Sequence, residues 1–385
     1  MSRLLELLGI VAAIAVGTLT VLFSGAVSVV RAPVVSPTAS STLSVVSDIS
    51  LPSITLPSFG SDARTATTAP AYVPPPVLEK KEPPLVVATP SAQPASTPLV
   101  ASAPPTLSGN IGLDASASIL RAALVNIICY APASSGLHSI SGSGVIIDPK
   151  GFILTNAHIA QYFLLTDRAV SCTIRSGSPA TDKYTAQLIY ISPLWLRANA
   201  TVLTQTLPSG TGEYDFALIA IDKSSTNAPL PASFPSIPLA ILPPPSGTPV
   251  VIASYGAQFL ETNQIQSSLF PTVVFGSVKE VFTFALNTID VLSLGGSAAA
   301  QEGSSGGGVS DASGSLVGTI TTSTVEGATA TRELDAITAS YIRSEYASEM
   351  GSALDLLLAE SAAAAIADFA PRIPALEAII TVGLP

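Results

Sequence analysis

The sequence predicts an all-β domain, a barrel or a sandwich, flanked by segments of quite different character. From about Ile111 onward, short runs of β-branched residues alternate with Gly, Pro and Ser, the signature of strands between tight turns. No helical periodicity interleaves with these runs, which argues against a βαβ architecture. The composition also shifts abruptly near residues 110 and 336, so one folded β domain with appendages fits the chain of 385 residues better than two or three equal domains.

The first appendage covers residues 1–31. Leu7 to Val30 is apolar and almost uncharged, with Arg3 before it and Arg31 after it. As a helix rising ~1.5 Å per residue it is long enough to cross a hydrocarbon core of ~30 Å. It reads as an uncleaved signal anchor and transmembrane helix. The competing reading is a secretory signal peptide cut near Ala26-Val27-Ser28. Either way the rest of the chain is expected outside the cytoplasm, at the cell membrane as a single-pass protein or secreted. Residues 32–110 are dense in Pro, Ser, Thr and Ala, with runs such as Val73-Pro74-Pro75-Pro76. Such a segment cannot bury enough surface to fold and reads as a disordered, semi-extended tether.

Within residues 111–345 the expected strands include Leu124 to Tyr130, Gly144 to Ile147, Phe152 to Thr155, Val170 to Ile174 and Ala186 to Ile191. Phe216 to Ile221, Val250 to Ser254, Thr272 to Val278, Ile289 to Leu292 and Leu316 to Thr322 continue the series. One hairpin is well specified, because Asp148-Pro149-Lys150-Gly151 places Asp, Pro and Gly where a type I turn favours them. Past Ala336 the pattern turns helical, with Thr338 as an N-cap and Ser352 and Asp355 spaced like a capping box. Leu354, Leu358, Ile366 and Phe369 follow a helical stripe, which Pro371 and Pro374 are expected to end. Residues 346–385 form a C-terminal helical tail whose default role is packing.

Composition excludes several functions. A net charge of −10 with only 16 Lys and Arg and no basic cluster removes the footprint of a nucleic-acid binder. Neither CxxC nor a Cys/His cluster is present, so no metal and no cofactor is expected. Cys129 and Cys172 either bridge, if the domain lies outside the cytoplasm, or stay as buried thiols.

The chemistry-bearing segments lie inside the β domain. Ser143-Gly144-Val145-Ile146-Ile147, the turn, and Phe152-Ile153-Leu154-Thr155-Asn156-Ala157-His158 are followed by Glu213-Tyr214-Asp215-Phe216-Ala217-Leu218-Ile219 and then by Gly303-Ser304-Ser305-Gly306-Gly307. In order, spacing and motif these three segments resemble the catalytic His, Asp and Ser regions of the trypsin-like serine proteases, in particular the HtrA-type (Deg) branch. The resemblance spans roughly residues 120 to 345. It implies a chymotrypsin-like double β-barrel and a triad of His158, Asp215 and Ser305, with the backbone N–H groups of Gly303 and Ser305 as an oxyanion hole. The partners it implies are polypeptide substrates at the extracytoplasmic face, with envelope protein quality control as a role.

Further expectations rest on the same resemblance. Cys129 and Cys172 flank His158 as a disulfide pair does in many secreted members. Where members activated by cleavage carry an aspartate before the nucleophile, this chain has Ser304, so a cut creating a new N-terminus at Ile111 is not expected to be needed. Ala299 stands six positions before Ser305 and, with Thr321 and Thr322 near the wall, implies an uncharged substrate pocket for small or medium apolar side chains. Related proteases often carry a PDZ module after the protease domain; the remaining residues are too few for one, and an oligomer is open. The rival functions are a protease-fold binding protein without activity, and a stalk-like adhesin built on residues 32–110.

Overall fold

A computed structural model describes residues 111–384 apart from 206–209, 285–287, 324–326 and 383. The expected membrane helix and tether both lie outside the described residues. Among the described residues no helix is long and apolar enough to cross a membrane.

The described chain opens with a helix, α1 (Leu113–Ala123), where the sequence suggested only the start of the β region. Its buried face is Ser116, Leu120 and Ala123, and the serines dilute the apolar stripe that would have revealed it. Six strands follow: β1 (Leu124–Tyr130), β2 (Ile140–Asp148), β3 (Phe152–Thr155), β4 (Ser171–Gly177), β5 (Ala180–Ile191) and β6 (Ala217–Ser224). They close into an antiparallel barrel in the order β1-β2-β3-β6-β5-β4. Short helices α2 (Ala157–Ala160) and α3 (Pro193–Ala198) interrupt the series.

The barrel is filled by side chains, as a small barrel must be. Ile127, Val145, Ile153, Leu188 and Ile219 are all fully or almost fully buried. At Gly144 a Cβ would come within 2.7 Å of Ile153 Cγ2, so the packed interior itself requires glycine there. The β2–β3 hairpin turns at Asp148–Gly151 as expected: the Gly151 N–H donates to the Asp148 carbonyl at 3.0 Å, and the Asp148 carboxylate accepts from the Lys150 amide at 2.8 Å.

The second half contains β7 (Pro249–Ser254), a short helix α4 (Thr262–Ser267), β8 (Thr272–Ser277), β9 (Glu280–Phe282), β10 (Val291–Ser293), β11 (Gly308–Asp311), β12 (Leu316–Ser323) and β13 (Leu334–Thr338). These strands form one sheet in the order β8-β7-β11-β12-β13-β10-β9. The double barrel is thus one closed barrel beside an open, half-barrel sheet. Strands β9, β11 and β13 are too short or too rich in Gly, Asp and Ala for their sequences to have marked them.

The C-terminal segment departs from expectation in detail. Strand β13 continues to Thr338, and helix α5 (Ala339–Met350) begins there with the Thr338 hydroxyl accepting from the Tyr341 N–H, as the sequence suggested. The Ser352/Asp355 capping box does not form; helix α6 (Leu354–Ala359) starts after Ala353 with no side-chain cap. The long stripe is broken into α6 and α7 (Ala362–Phe369), and α8 (Ile373–Thr381) follows it. Pro374 opens α8 rather than ending a helix, because the first turn needs no N–H from that residue. Helix α7 packs on β5 and β6, and α8 on α3, so the tail leaves the second sheet and covers the first barrel.

Cys129 and Cys172 are bonded to each other, at directly paired positions of β1 and β4. With a sequence separation of 43, replacing both by alanine is expected to lower the unfolding free energy by about 4 kcal/mol on the chain-entropy account. Urea denaturation of the oxidised parent and the double variant measures this, and coincident midpoints would show that the bridge adds nothing to the barrel.

Candidate active site

Strands β3 and β6 pair in register, with Thr155 opposite Ala217. The residues just beyond these two strand ends therefore meet. His158 stands in α2, after β3, and Asp215 stands two residues before β6. His158 Nδ1 lies 2.7 Å from Asp215 Oδ2, and the His158 backbone N–H donates to Oδ1 at 3.0 Å. The Asp215 side chain is 7% exposed and the His158 side chain 22%. A buried carboxylate so close to Nδ1 favours the tautomer with its proton there, which leaves Nε2 free to accept one.

Asp215 is held on every side. Its Oδ2 also accepts from the Thr321 hydroxyl at 2.9 Å, and its backbone carbonyl accepts from Asn156 Nδ2 at 2.8 Å. Its own N–H donates to the Gly212 carbonyl at 3.1 Å. The turn that delivers it is tight: Gly212 has φ 83° and Tyr214 has φ 57°. The left-handed conformation costs a non-glycine residue about 1–2 kcal/mol, so the surroundings must impose it at Tyr214.

Ser305 stands in the loop before β11, on the second sheet. Its carbonyl accepts from the N–H of Ser143, in β2 of the first barrel, at 2.7 Å. The neighbouring Gly306 has φ 83°, and a Cβ there would fall 2.0 Å from the Ser143 carbonyl oxygen and 2.5 Å from the Thr155 hydroxyl. Only glycine lets the loop approach so closely, and Thr155 is three residues before His158. The loop of Ser305 is thereby pressed against the strands that carry the histidine.

The amides of this loop are divided. Those of Ser304, Gly306 and Gly307 donate to the carbonyls of Gln301, Ile320 and Ser304. Among the described residues those of Gly303 and Ser305 have no protein acceptor. Gly303 has φ 87°, and a Cβ on it would lie 2.8 Å from the Tyr255 carbonyl oxygen, so this residue too must be glycine. Two neighbouring free donors are what binding a developing oxyanion requires.

The expected pocket residues fare differently. Ala299 is fully buried in the core of the second sheet, with its carbonyl accepting from the Ser304 hydroxyl. Thr321 is buried, and its hydroxyl is bound to Asp215. The side chain of Thr322 lies outside the described residues. What the sequence did not single out is the supporting group: Thr321 in this new role, Asn156, Ser143 and Tyr341, whose hydroxyl accepts from the Tyr214 N–H at 3.1 Å. The one available signal was Asn156, two residues before His158 and fully buried.

Thr321→Val removes the hydroxyl but keeps the shape, so the reaction of Ser305 with a fluorophosphonate is expected to slow about tenfold, the worth of one hydrogen bond to a charged group. Thr321→Ser should stay near the parent rate. Equal rates for the valine and serine variants would show that Thr321 does not support Asp215.

Residues 142–318 match the family model described as a trypsin-like peptidase domain. Among solved structures, the active form of the Rv3671c protease from M. tuberculosis is 19% identical, covering 68% of this chain and 93% of that one, with a TM-score of 0.39. Its inactive form is 18% identical, covering 66% and 98%, with a TM-score of 0.38. The serine endoprotease from Yersinia pestis is 21% identical, covering 65% of this chain and 68% of that one, with a TM-score of 0.39. No curated protein matches the chain. With the family model spanning the His158 and Asp215 segments and the Ser305 loop, this chain carries a trypsin-like peptidase domain and is a serine endopeptidase.

Proposed function

We propose that the domain hydrolyses peptide bonds through a triad of His158, Asp215 and Ser305, as a membrane-anchored extracytoplasmic protease of the HtrA type. The observation that carries the triad is the short contact of His158 Nδ1 with the buried carboxylate of Asp215. Residues 1–31 serve as the anchor, residues 32–110 as the tether, and polypeptides of the cell envelope as substrates in protein quality control.

The chemistry follows from the groups present. His158 Nε2 takes the proton of the Ser305 hydroxyl as its oxygen attacks the scissile carbonyl carbon. The carbonyl oxygen, now negative, accepts from the N–H groups of Gly303 and Ser305. The C–N bond then breaks, and the imidazolium returns its proton to the departing amine. Water, deprotonated by the same imidazole, attacks the acyl carbon; the bond to the Ser305 oxygen breaks, the imidazolium returns its proton to that oxygen, and the acid leaves. Asp215 stabilises the imidazolium throughout and fixes its orientation.

Ser304 supports activity without prior cleavage. Its hydroxyl donates to the Ala299 carbonyl, and it accepts from the Ser254 hydroxyl at 3.3 Å; no carboxylate there waits for an ammonium group. The Ile111 N–H is bonded to the Ala312 carbonyl at 2.9 Å, beside the β11–β12 turn.

Fluorophosphonate labelling of the full chain tests the reading. The parent is expected to label, and Ser305→Ala and His158→Ala are expected not to; Asp215→Asn should lower turnover about 10⁴-fold by fixing the wrong tautomer. A folded parent that does not label would leave a binding protein of the protease fold as the better account. Asn110→Pro, which blocks a cut before Ile111, is expected to leave the labelling rate unchanged; loss of labelling in that variant would show that cleavage activates the enzyme.

A further inference from the structure

Helix α5 leads from the β domain into the tail of residues 346–385, whose expected role was packing. One residue of α5, and one strand residue that α5 holds, reach the two neighbours of Asp215. On one side, the Tyr341 hydroxyl accepts from the Tyr214 N–H at 3.1 Å. On the other, the Phe216 ring stacks on Tyr190 at 5.3 Å. Tyr190 in turn contacts the Tyr346 ring at 4.9 Å and donates to the Glu349 carboxylate at 2.5 Å.

We propose that Tyr341 is a positioning residue for Asp215: its hydroxyl fixes the left-handed peptide at Tyr214 and so aims the carboxylate at His158. The inference rests on the triad reading above. Tyr214 has φ 57°, a conformation uncommon for a tyrosine, which an external partner helps to hold. The Tyr341 oxygen supplies that partner by accepting the Tyr214 amide hydrogen. Release of this hydrogen bond lets the Glu213–Tyr214 peptide relax toward the right-handed region, and the adjacent Asp215 carboxylate turns with it.

Tyr341 is itself fixed for this task. Its amide donates to the N-cap hydroxyl of Thr338 at 3.1 Å, and that hydroxyl donates to the Ile289 carbonyl at 2.9 Å. Its ring lies 5.1 Å from Phe284. Burial pushes the Tyr341 phenol well above the usual tyrosine range, so the oxygen remains a neutral acceptor. The helix that follows the last strand of the second sheet therefore sets the geometry of a group in the first barrel.

The test compares the full-length parent with Tyr341→Phe, Tyr214→Gly and the double variant. Tyr341→Phe keeps the ring and removes only the acceptor. Its maximal rate of inactivation by a fluorophosphonate is expected to fall about five- to tenfold, the effect of one neutral hydrogen bond. The reagent concentration giving half-maximal rate should not move, and neither should the thermal midpoint by more than a few degrees. Glycine adopts positive φ without strain, so Tyr214→Gly in the Tyr341→Phe background should restore the rate of the Tyr214→Gly protein. A second readout is the low-field proton resonance of His158 Nδ1–H, which should weaken in Tyr341→Phe; the chain has only two histidines to assign. A Tyr341→Phe protein that reacts as fast as a reactive parent overturns this inference alone. So does a loss that follows the thermal midpoint and is not rescued by glycine. A folded parent that does not react overturns both the inference and the triad reading beneath it.

Discussion

Every polar group of Ser143 is engaged where the barrel and the second sheet meet, and the site depends on that junction. Its N–H donates to the Ser305 carbonyl at 2.7 Å. Its hydroxyl donates to the Gly303 carbonyl and accepts from the Tyr255 N–H, both at 2.8 Å. Its carbonyl accepts from the Thr155 hydroxyl at 2.8 Å. The residue is fully buried, so any of these groups left unpaired would cost about 1–3 kcal/mol. That penalty locks the Ser305 loop to the strands that lead to His158. A less polar seam would bury as much surface but would tolerate sliding, since apolar contact is not directional.

The seam also explains where glycine is required and where it is merely convenient. Gly306 meets the Ser143 carbonyl and Gly303 meets the Tyr255 carbonyl at distances no Cβ allows. Gly112 and Gly351 have positive φ with open space around them. The first pair serves close approach between two backbones, and the second pair only turns. The G-x-S-G-G pattern around Ser305 is therefore the imprint of a backbone packed against the other half of the fold. This is why a short motif in a loop carries information about residues far away in sequence.

Much of the fold was legible because strands of a small packed barrel must be rich in β-branched residues and must end at turn formers. Leu124–Tyr130, Phe152–Thr155 and Val250–Ser254 were recognisable as strands on that ground, and Asp148–Gly151 as a turn. Helix α1 was not, because it buries Ser116 against Ser310 of β11, hydroxyl to hydroxyl at 2.8 Å, and a buried serine reads as a loop residue. The short helices of the tail ran together in sequence because the break at Glu360 carries neither Gly nor Pro. At the site, His158, Asp215 and Ser305 stood out through their flanking motifs. Thr321, Asn156 and Tyr341 did not, since each acts through a contact with a residue 59 to 127 positions away.

The two ends of the described chain cross between the halves in opposite senses. Helix α1 packs on β7 and β11 of the second sheet before the chain enters β1 of the barrel. The C-terminal segment leaves β13 of the second sheet, and α7 and α8 settle on β5, β6 and α3 of the barrel. Each half is thus held by a helix that belongs in sequence to the other. Opening the seam would strip α1 from one sheet or the tail from the barrel, exposing Leu120 in the first case and Phe369 in the second, both buried. The apolar area lost in this way adds to the polar penalty at Ser143, so the two halves separate only with much of the core. A site built across the seam inherits the stability of the whole domain, and Asp215, gripped by α5 from the second sheet's side, is the group most directly tied to it.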